Sequence, residues 1–370
     1  MTLDRRLFLG SLAAAAFAPG AAQAKTGFAI AKSDVGLLMP ASLKGHATKA
    51  IFDCGNSQCA IDTRLAQRLG ITVAKTFRAG AIYSDFQAGR TEPVDLMIGD
   101  RAFHLPLIVM PLDTIGEGVE MLIGRDVLKD TCVDLDVPNL RASFLTMRPP
   151  PGLTPIAMTE GKQGDLTVKV QVEGLPAQAS LDSGCTVAMI IARDWFDRAG
   201  LSRDHRLTPW IGDDLSGQAS IAMADLASFG FGGAEVRNVP VEVSHTQLAY
   251  EVNLGLPVLE RFHSFWDLAN EKLWLSTSPA ERARPFEHER AGLACARVDA
   301  VLKVVFVVPD SAAAQAGFKV DDEITRIDGK PVAALSDEAS LAWKRDPSRP
   351  SVVLTMDSGE TRRLALRDYF

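Results

Sequence analysis

A long-range duplication constrains this 370-residue chain more than any other feature of its sequence. Ala50-Ile51-Phe52-Asp53-Cys54-Gly55-Asn56-Ser57 is echoed by Ala179-Ser180-Leu181-Asp182-Ser183-Gly184-Cys185-Thr186. Each copy is a short β-like run ending in Asp-x-Gly and small polar residues. Each leads into an amphipathic stretch closed by glycine, at 62–70 and 192–200, which predicts a short helix. Further on, Met121-Leu122-Ile123-Gly124-Arg125-Asp126-Val127-Leu128 matches Val252-Asn253-Leu254-Gly255-Leu256-Pro257-Val258-Leu259. Gly124 lies 71 residues after Asp53, and Gly255 lies 73 after Asp182. Both copies close with a strand pair, 132–136 with 141–145 and 264–268 with 272–275, around turn-forming residues. One Asp-Ser-Gly triplet is weak evidence, because Asx turns generate it in many proteins. Two copies with a matched downstream element at nearly equal distance predict two like halves.

The boundaries follow from composition. Arg148-Pro149-Pro150-Pro151-Gly152-Leu153-Thr154-Pro155 reads as an extended linker, since proline fixes φ and removes amide donors. A second break falls near Ser278-Pro279. The halves are therefore expected at 28–147 and 156–278, and residues 290–370 are too few and too different for a third copy. Gly (29) and Pro (20) recur between short apolar runs, which favours strands over long helices.

The N-terminus reads as a targeting segment. Arg5-Arg6 precedes Leu7-Phe8-Leu9, an Ala-rich stretch follows, and Ala22-Gln23-Ala24 fits an A-x-A cleavage site. Residues 1–24 thus resemble a twin-arginine signal peptide. The apolar run from Leu7 to Ala18 falls well short of the roughly 20 residues that span a bilayer. No later segment reaches that length, so the mature protein is expected to be periplasmic or secreted and not membrane-spanning. A formal net charge of −7 without a basic run argues against nucleic acid as a partner. The five cysteines, Cys54, Cys59, Cys132, Cys185 and Cys295, are an odd set, so at least one thiol stays out of any disulfide. No Cys/His spacing suggests a metal, and no cofactor is expected.

The Asp-x-Gly runs, with Leu122-Ile123-Gly124-Arg125-Asp126-Val127-Leu128 as an especially close match, resemble the retroviral-type (retropepsin-like) aspartic proteases over residues 28–278. The resemblance implies a mainly β chain with two acid-protease β-barrel lobes. It makes Asp53 and Asp182 a catalytic dyad. Two carboxylates brought to about 3 Å cannot both ionise, so they share one proton and titrate as a unit. The charged member would take a proton from a water that attacks the peptide carbonyl, and the other would donate. Gly55 and Gly184 would let the backbone approach the carboxylates. The middle residues, Cys54 and Ser183, would hydrogen-bond across to the opposite loop. A thiol is a weak donor, so this grip is expected to be lopsided. Flaps are expected at 79–86 and 210–217, where Tyr83 or Trp210 would close over a peptide, or an ordinary hairpin tip would pack its aromatic underneath. Asp126 reads as an ion-pair or turn residue, and Cys185 as a small buried residue.

The stretch from Val304 to Val332, with Pro309-Asp310-Ser311-Ala312-Ala313, Ala316-Gly317, Glu323-Ile324 and Asp328-Gly329, resembles the PDZ domains of bacterial envelope proteases. Asp321-Asp322 stands where Gly-Asp is usual. The resemblance implies a groove that adds an extended C-terminal peptide as a strand, its carboxylate caught by backbone amides near Gly292-Leu293-Ala294. A domain that only packs against the lobes is the other reading. Together these features point to an aspartic endopeptidase acting on peptides or proteins, with a PDZ-like module that recruits substrate or regulates the cleft. The alternative is an exported peptide-binding protein, catalytically weak or inactive, and Cys54 is the feature that favours it.

Overall fold

The computed structural model describes residues 27–368, apart from 81–84, 113–114, 117, 130, 146–152, 162–163, 215–216 and 246–247. The expected signal peptide, the Pro149–Pro151 run and Tyr83 lie outside the described residues. The chain is mainly β.

The duplication seen in the sequence is a duplication of topology. In the first half eight strands follow the order Ala31–Ser33, Gly36–Leu43, His46–Phe52, Met121–Ile123, Ala60–Asp62, Arg101–Met110, Asp85–Ile98, Val73–Gly80. Gly36–Leu43 also pairs with Asp85–Ile98, which closes the sheet on itself. In the second half the order is Thr159–Glu160, Leu166–Val172, Leu175–Asp182, Val252–Gly255, Met189–Ala192, Ala234–Ser244, Gly217–Phe231, Thr208–Asp214, closed by the pairing of Leu166–Val172 with Gly217–Phe231. Each apolar-Gly segment is thus a central strand. It runs parallel to the strand that delivers the aspartate and antiparallel to the strand that follows the Asp loop. The predicted helices form at Thr63–Arg68 and Arg193–Arg198. The first is capped by the Asp62 carboxylate, which accepts the Arg64 amide at 2.8 Å.

The closing strand pairs do something the duplication did not reveal. They join into one six-stranded sheet, ordered Phe28–Ala29, Arg141–Leu145, Cys132–Asp136, His263–Asp267, Lys272–Ser276, Pro155–Ala157. At its centre Val133 opposes Trp266 and Leu135 opposes Ser264, so both halves share this sheet. The shared sheet covers what would otherwise be two exposed edges of unpaired backbone groups.

Residues beyond about 290 form a separate core around Leu293, Leu302, Val304, Ile324, Trp343, Leu354 and Leu364. Its strands run in the order Leu293–Val298, Val301–Val307, Glu323–Ile327, Ser351–Met356, Thr361–Ala365. The helices Ala312–Gln315 and Asp337–Leu341 are capped by Ser311 and Ser336. The connection is fastened by Arg261, 1% exposed, which donates to the carbonyls of Pro257, Glu281, Arg284 and Pro285 and stacks on Phe286 at 3.6 Å. Burial pulls its pKa down to about 10. All five cysteines are free thiols. Among the described residues no helix is long and apolar enough to cross a membrane.

Candidate active site

The two Asp loops meet face to face between the halves. The Asp53 amide donates to Ile123 O at 3.0 Å, and Asp182 lies in register with Gly255, so each aspartate is locked to its apolar-Gly strand. Asp53 Oδ1 accepts the amides of Gly55 at 3.0 Å and Asn56 at 3.3 Å. Asp182 Oδ1 accepts those of Gly184 at 3.0 Å and Cys185 at 3.1 Å. The outer oxygens also match in kind. Asn56 Nδ2 donates to Asp53 Oδ2 at 2.7 Å, and Asn253 Nδ2 donates to Asp182 Oδ2 at 2.9 Å.

The two carboxyls converge, Asp182 beside Gly55 and Asp53 beside Gly184. The backbone explains how they come so close. A Cβ on Gly55 would sit 2.6 Å from Asp182 Oδ1, and one on Gly184 would sit 2.5 Å from Asp53 Cγ. Each glycine therefore makes room for the opposite aspartate. The repeated Gly124 and Gly255 have a related role. A Cβ there would meet Gln58 C at 2.3 Å and Val187 O at 1.9 Å, so the crossing strand could not lie against the loop.

Burial pushes Asp53 up to about 7, with the Asp182 charge beside it adding to the shift and the Asn56 and Gly55 donors opposing it. Asp182 is also raised by burial, against the donors Asn253, Gly184 and Cys185. The arrangement can hold one proton between two carboxyls near neutral pH, which is what a general acid and a general base in one pair require.

The residues between Asp and Gly grip across the interface unequally. Ser183 Oγ accepts the Cys54 amide at 2.9 Å and donates to Phe52 O at 2.9 Å. The Cys54 sulfur accepts the Ser183 amide at 3.2 Å, but among the described residues no counterpart runs from this thiol to the Leu181 carbonyl. Burial drives the Cys54 thiol up to about 12, so it stays protonated. Asp126 is structural: its carboxylate accepts the Cys59 amide and thiol, each at 3.0 Å, and closes the Asp53 loop from behind.

Trp210 lies in Thr208–Asp214, the first strand of the second hairpin, but its indole is turned to the C-terminal domain. It meets Phe306 edge-on at 6.1 Å and lies 5.8 Å from Lys344 Nζ. Of the two expectations for this ring, a flap over a peptide or an aromatic packed at a hairpin, the contact with the last domain accords with packing. Leu293 is in that domain's core and Ala294 is buried, so of the predicted groove residues they contribute backbone. Leu293–Val298 is the edge strand of its sheet. Of the three residues expected to catch a carboxylate, Gly292 already has its amide bonded. Glu289 Oε1 accepts Ala291 N at 2.7 Å and Gly292 N at 3.1 Å, and its other oxygen pairs with Lys344 at 3.2 Å.

Sequence reasoning passed over Asn56, Asn253 and Glu289. Asn253 had a signal, a polar residue in an apolar strand where the first copy has Leu122. Glu289 had none, because its partners follow from loop geometry. Among the described residues no group of His, Cys, Asp and Glu is arranged to hold a metal ion.

Residues 39–130 match the gag-polyprotein aspartyl protease family, residues 168–258 match the aspartyl protease family, and residues 282–356 match the PDZ domain family. No curated protein matches the chain.

Proposed function

We propose that this chain, two aspartyl protease domains in tandem followed by a PDZ domain, is an aspartic endopeptidase that hydrolyses peptide bonds through Asp53 and Asp182, and that it works in the periplasm or outside the cell. The observation that carries the reading is the convergence of two carboxyls, each seated against the other's glycine. With one proton on the pair, the ionised carboxylate takes a proton from a water held between them. The water oxygen bonds to the peptide carbonyl carbon while the protonated carboxyl gives its proton to the carbonyl oxygen. The resulting tetrahedral diol then passes a proton to the nitrogen, the C–N bond breaks, and acid and amine leave. No covalent enzyme intermediate is formed.

The PDZ domain fits a regulatory role, because the second hairpin rests on it through Trp210, Phe306 and Lys344. A peptide adding along Leu293–Val298 would act within a few residues of that contact. The test is cleavage of a denatured protein by the mature chain, with loss of activity in Asp53→Asn and in Asp182→Asn and inhibition by a statine-type transition-state mimic. Activity untouched by both substitutions would refute the dyad. A peptide-binding protein with little catalysis is the second reading, favoured by Cys54 because its side of the cross-loop grip lacks a donated bond. It predicts peptide binding in the cleft with no turnover at any pH.

A further inference from the structure

We propose that Asn253, oriented by Ser180, is a positioning residue that keeps the Asp182 carboxylate fixed and ionised and leaves the shared proton on Asp53. The proposal rests on the aspartic-protease reading of the same site.

Two matched rows of residues cross the two lobe sheets beside the aspartates. In the first half Ile51 pairs with Leu122, Leu122 with Ala60, and Ala60 with Ile108. In the second half Ser180 pairs with Asn253, Asn253 with Ile190, and Ile190 with Glu242. Side chains alternate along a strand, so Ile51 and Ser180, each two residues before its aspartate, share the face of the carboxyl. The first row is hydrocarbon packed in one apolar cluster with Met110 and Leu112. In the second row three of the four positions are polar. The site is therefore symmetric in backbone, and each acid takes a side-chain amide, but only in the second half does that amide come from the row.

Ser180 Oγ lies 2.7 Å from Asn253 Oδ1 and 3.3 Å from Val252 O. The shorter contact takes the hydroxyl proton, which makes the Asn253 oxygen the acceptor and aims Nδ2 at Asp182 Oδ2, 2.9 Å away. Reversing the amide would set its oxygen against a carboxylate oxygen. A donor fixed in this way stabilises the charged form of its partner. Asp53 has an amide partner too, but Asn56 comes from the half-buried tip of its own loop, with Leu122 in place of Asn253 in the row. Burial raises both acids, and Asp53 is the less exposed of the two, at 9%. Burial disfavours charge there. Asp182 is thus the base toward the water, and Asp53 the acid toward the carbonyl oxygen.

The test is a carboxyl-carbon NMR titration of wild type, Asn253→Leu and Ser180→Ala, with kcat/KM against pH on the same proteins. Asn253→Leu, which copies the first half, is expected to raise the lower pKa of the pair by about one unit or more. The acid limb of the activity profile should move up by the same amount with KM little changed. Ser180→Ala is expected to shift both in the same direction by less, because its amide is present but no longer held. A uniform drop in kcat with an unmoved lower pKa in either variant would overturn the proposal and leave Asn253 a packing residue. Should wild type cleave nothing, the protease reading fails, while the carboxyl titration still decides whether Asn253 holds the charge on Asp182. Should Asn253→Leu fail to fold, Ser180→Ala carries the same decision.

Discussion

Ser183 Oγ and the Cys54 amide lie 2.9 Å apart, and the Cys54 sulfur takes the Ser183 amide in return at 3.2 Å. The two halves are clasped at their chemical centre by a serine that both donates and accepts and a cysteine that accepts only. The consequence is measurable. Cys54→Thr supplies a hydroxyl that can donate to the Leu181 carbonyl, with a methyl to replace the bulk of the sulfur. It is expected to stabilise the fold by about 1 kcal/mol and to raise kcat a few-fold by stiffening the pair. Unfolding in urea and single-substrate kinetics give both quantities. A destabilised variant with unchanged kcat would show that the sulfur suits its site better than a hydroxyl.

The titration of the dyad sets a pH window. In the proposed mechanism the singly protonated pair is the working state, and burial pushes Asp53 up to about 7. Activity is therefore expected to fall as pH rises through about 7, and to fall on the acid side as Asp182 takes a proton. The same shift acts on stability. A carboxyl raised in the folded state above its ordinary value of 3.8 contributes stability that is complete below the ordinary value. That contribution is lost as pH rises through the raised one. Asp53→Asn should thus be more stable than wild type at pH 8, by about 2–4 kcal/mol, with the gap closing near pH 3. Calorimetry at the two pH values checks it, and equal stability of both proteins at pH 8 would count against a raised Asp53.

Trp210 couples the second hairpin to the PDZ domain. Trp210→Ala removes an edge-on contact with Phe306 and the ring over which Lys344 sits, together about 1–2 kcal/mol. Hydrogen exchange is expected to speed up in Thr208–Asp214 and in Val301–Val307 while the shared six-stranded sheet stays protected. Unchanged exchange in both strands would mean that the contact carries no coupling.

Glu289 occupies the amides of Ala291 and Gly292 with its own carboxylate. A peptide with a free C-terminus must compete with that side chain. Glu289→Ala leaves the two amides open and releases Lys344 from its ion pair, so free-acid peptides should bind roughly tenfold tighter, a gain of about 1.4 kcal/mol, while amidated ones barely change. Fluorescence anisotropy with matched free and amidated peptides measures this. Equal effects on both would mean that the loop does not read carboxylates.

Much of the site was legible because the repeat is written in local patterns. Alternating apolar residues before Asp53 and Asp182 mark the strands, and the glycines at 55, 184, 124 and 255 mark the close approaches. The unequal grip of Cys54 was legible for the same reason, since donor strength belongs to the side chain itself. What stayed hidden were contacts between segments far apart in the chain: the fusion of both closing hairpins into one sheet, the turn of Trp210 toward Phe306, and Asn253 against Asp182.

The sequence by itself determined which residues form strands, where the chain turns and which side chains carry acids, because those follow from periodicity and from the chemistry of each residue with its neighbours. Only the tertiary structure decided how the halves differ. Ser180 and Asn253 are 73 residues apart and become partners solely because the crossing strand lies in parallel register beside the Asp182 strand. Packing at that distance selects register and orientation, and those decide which side chains stand beside each of the two acids.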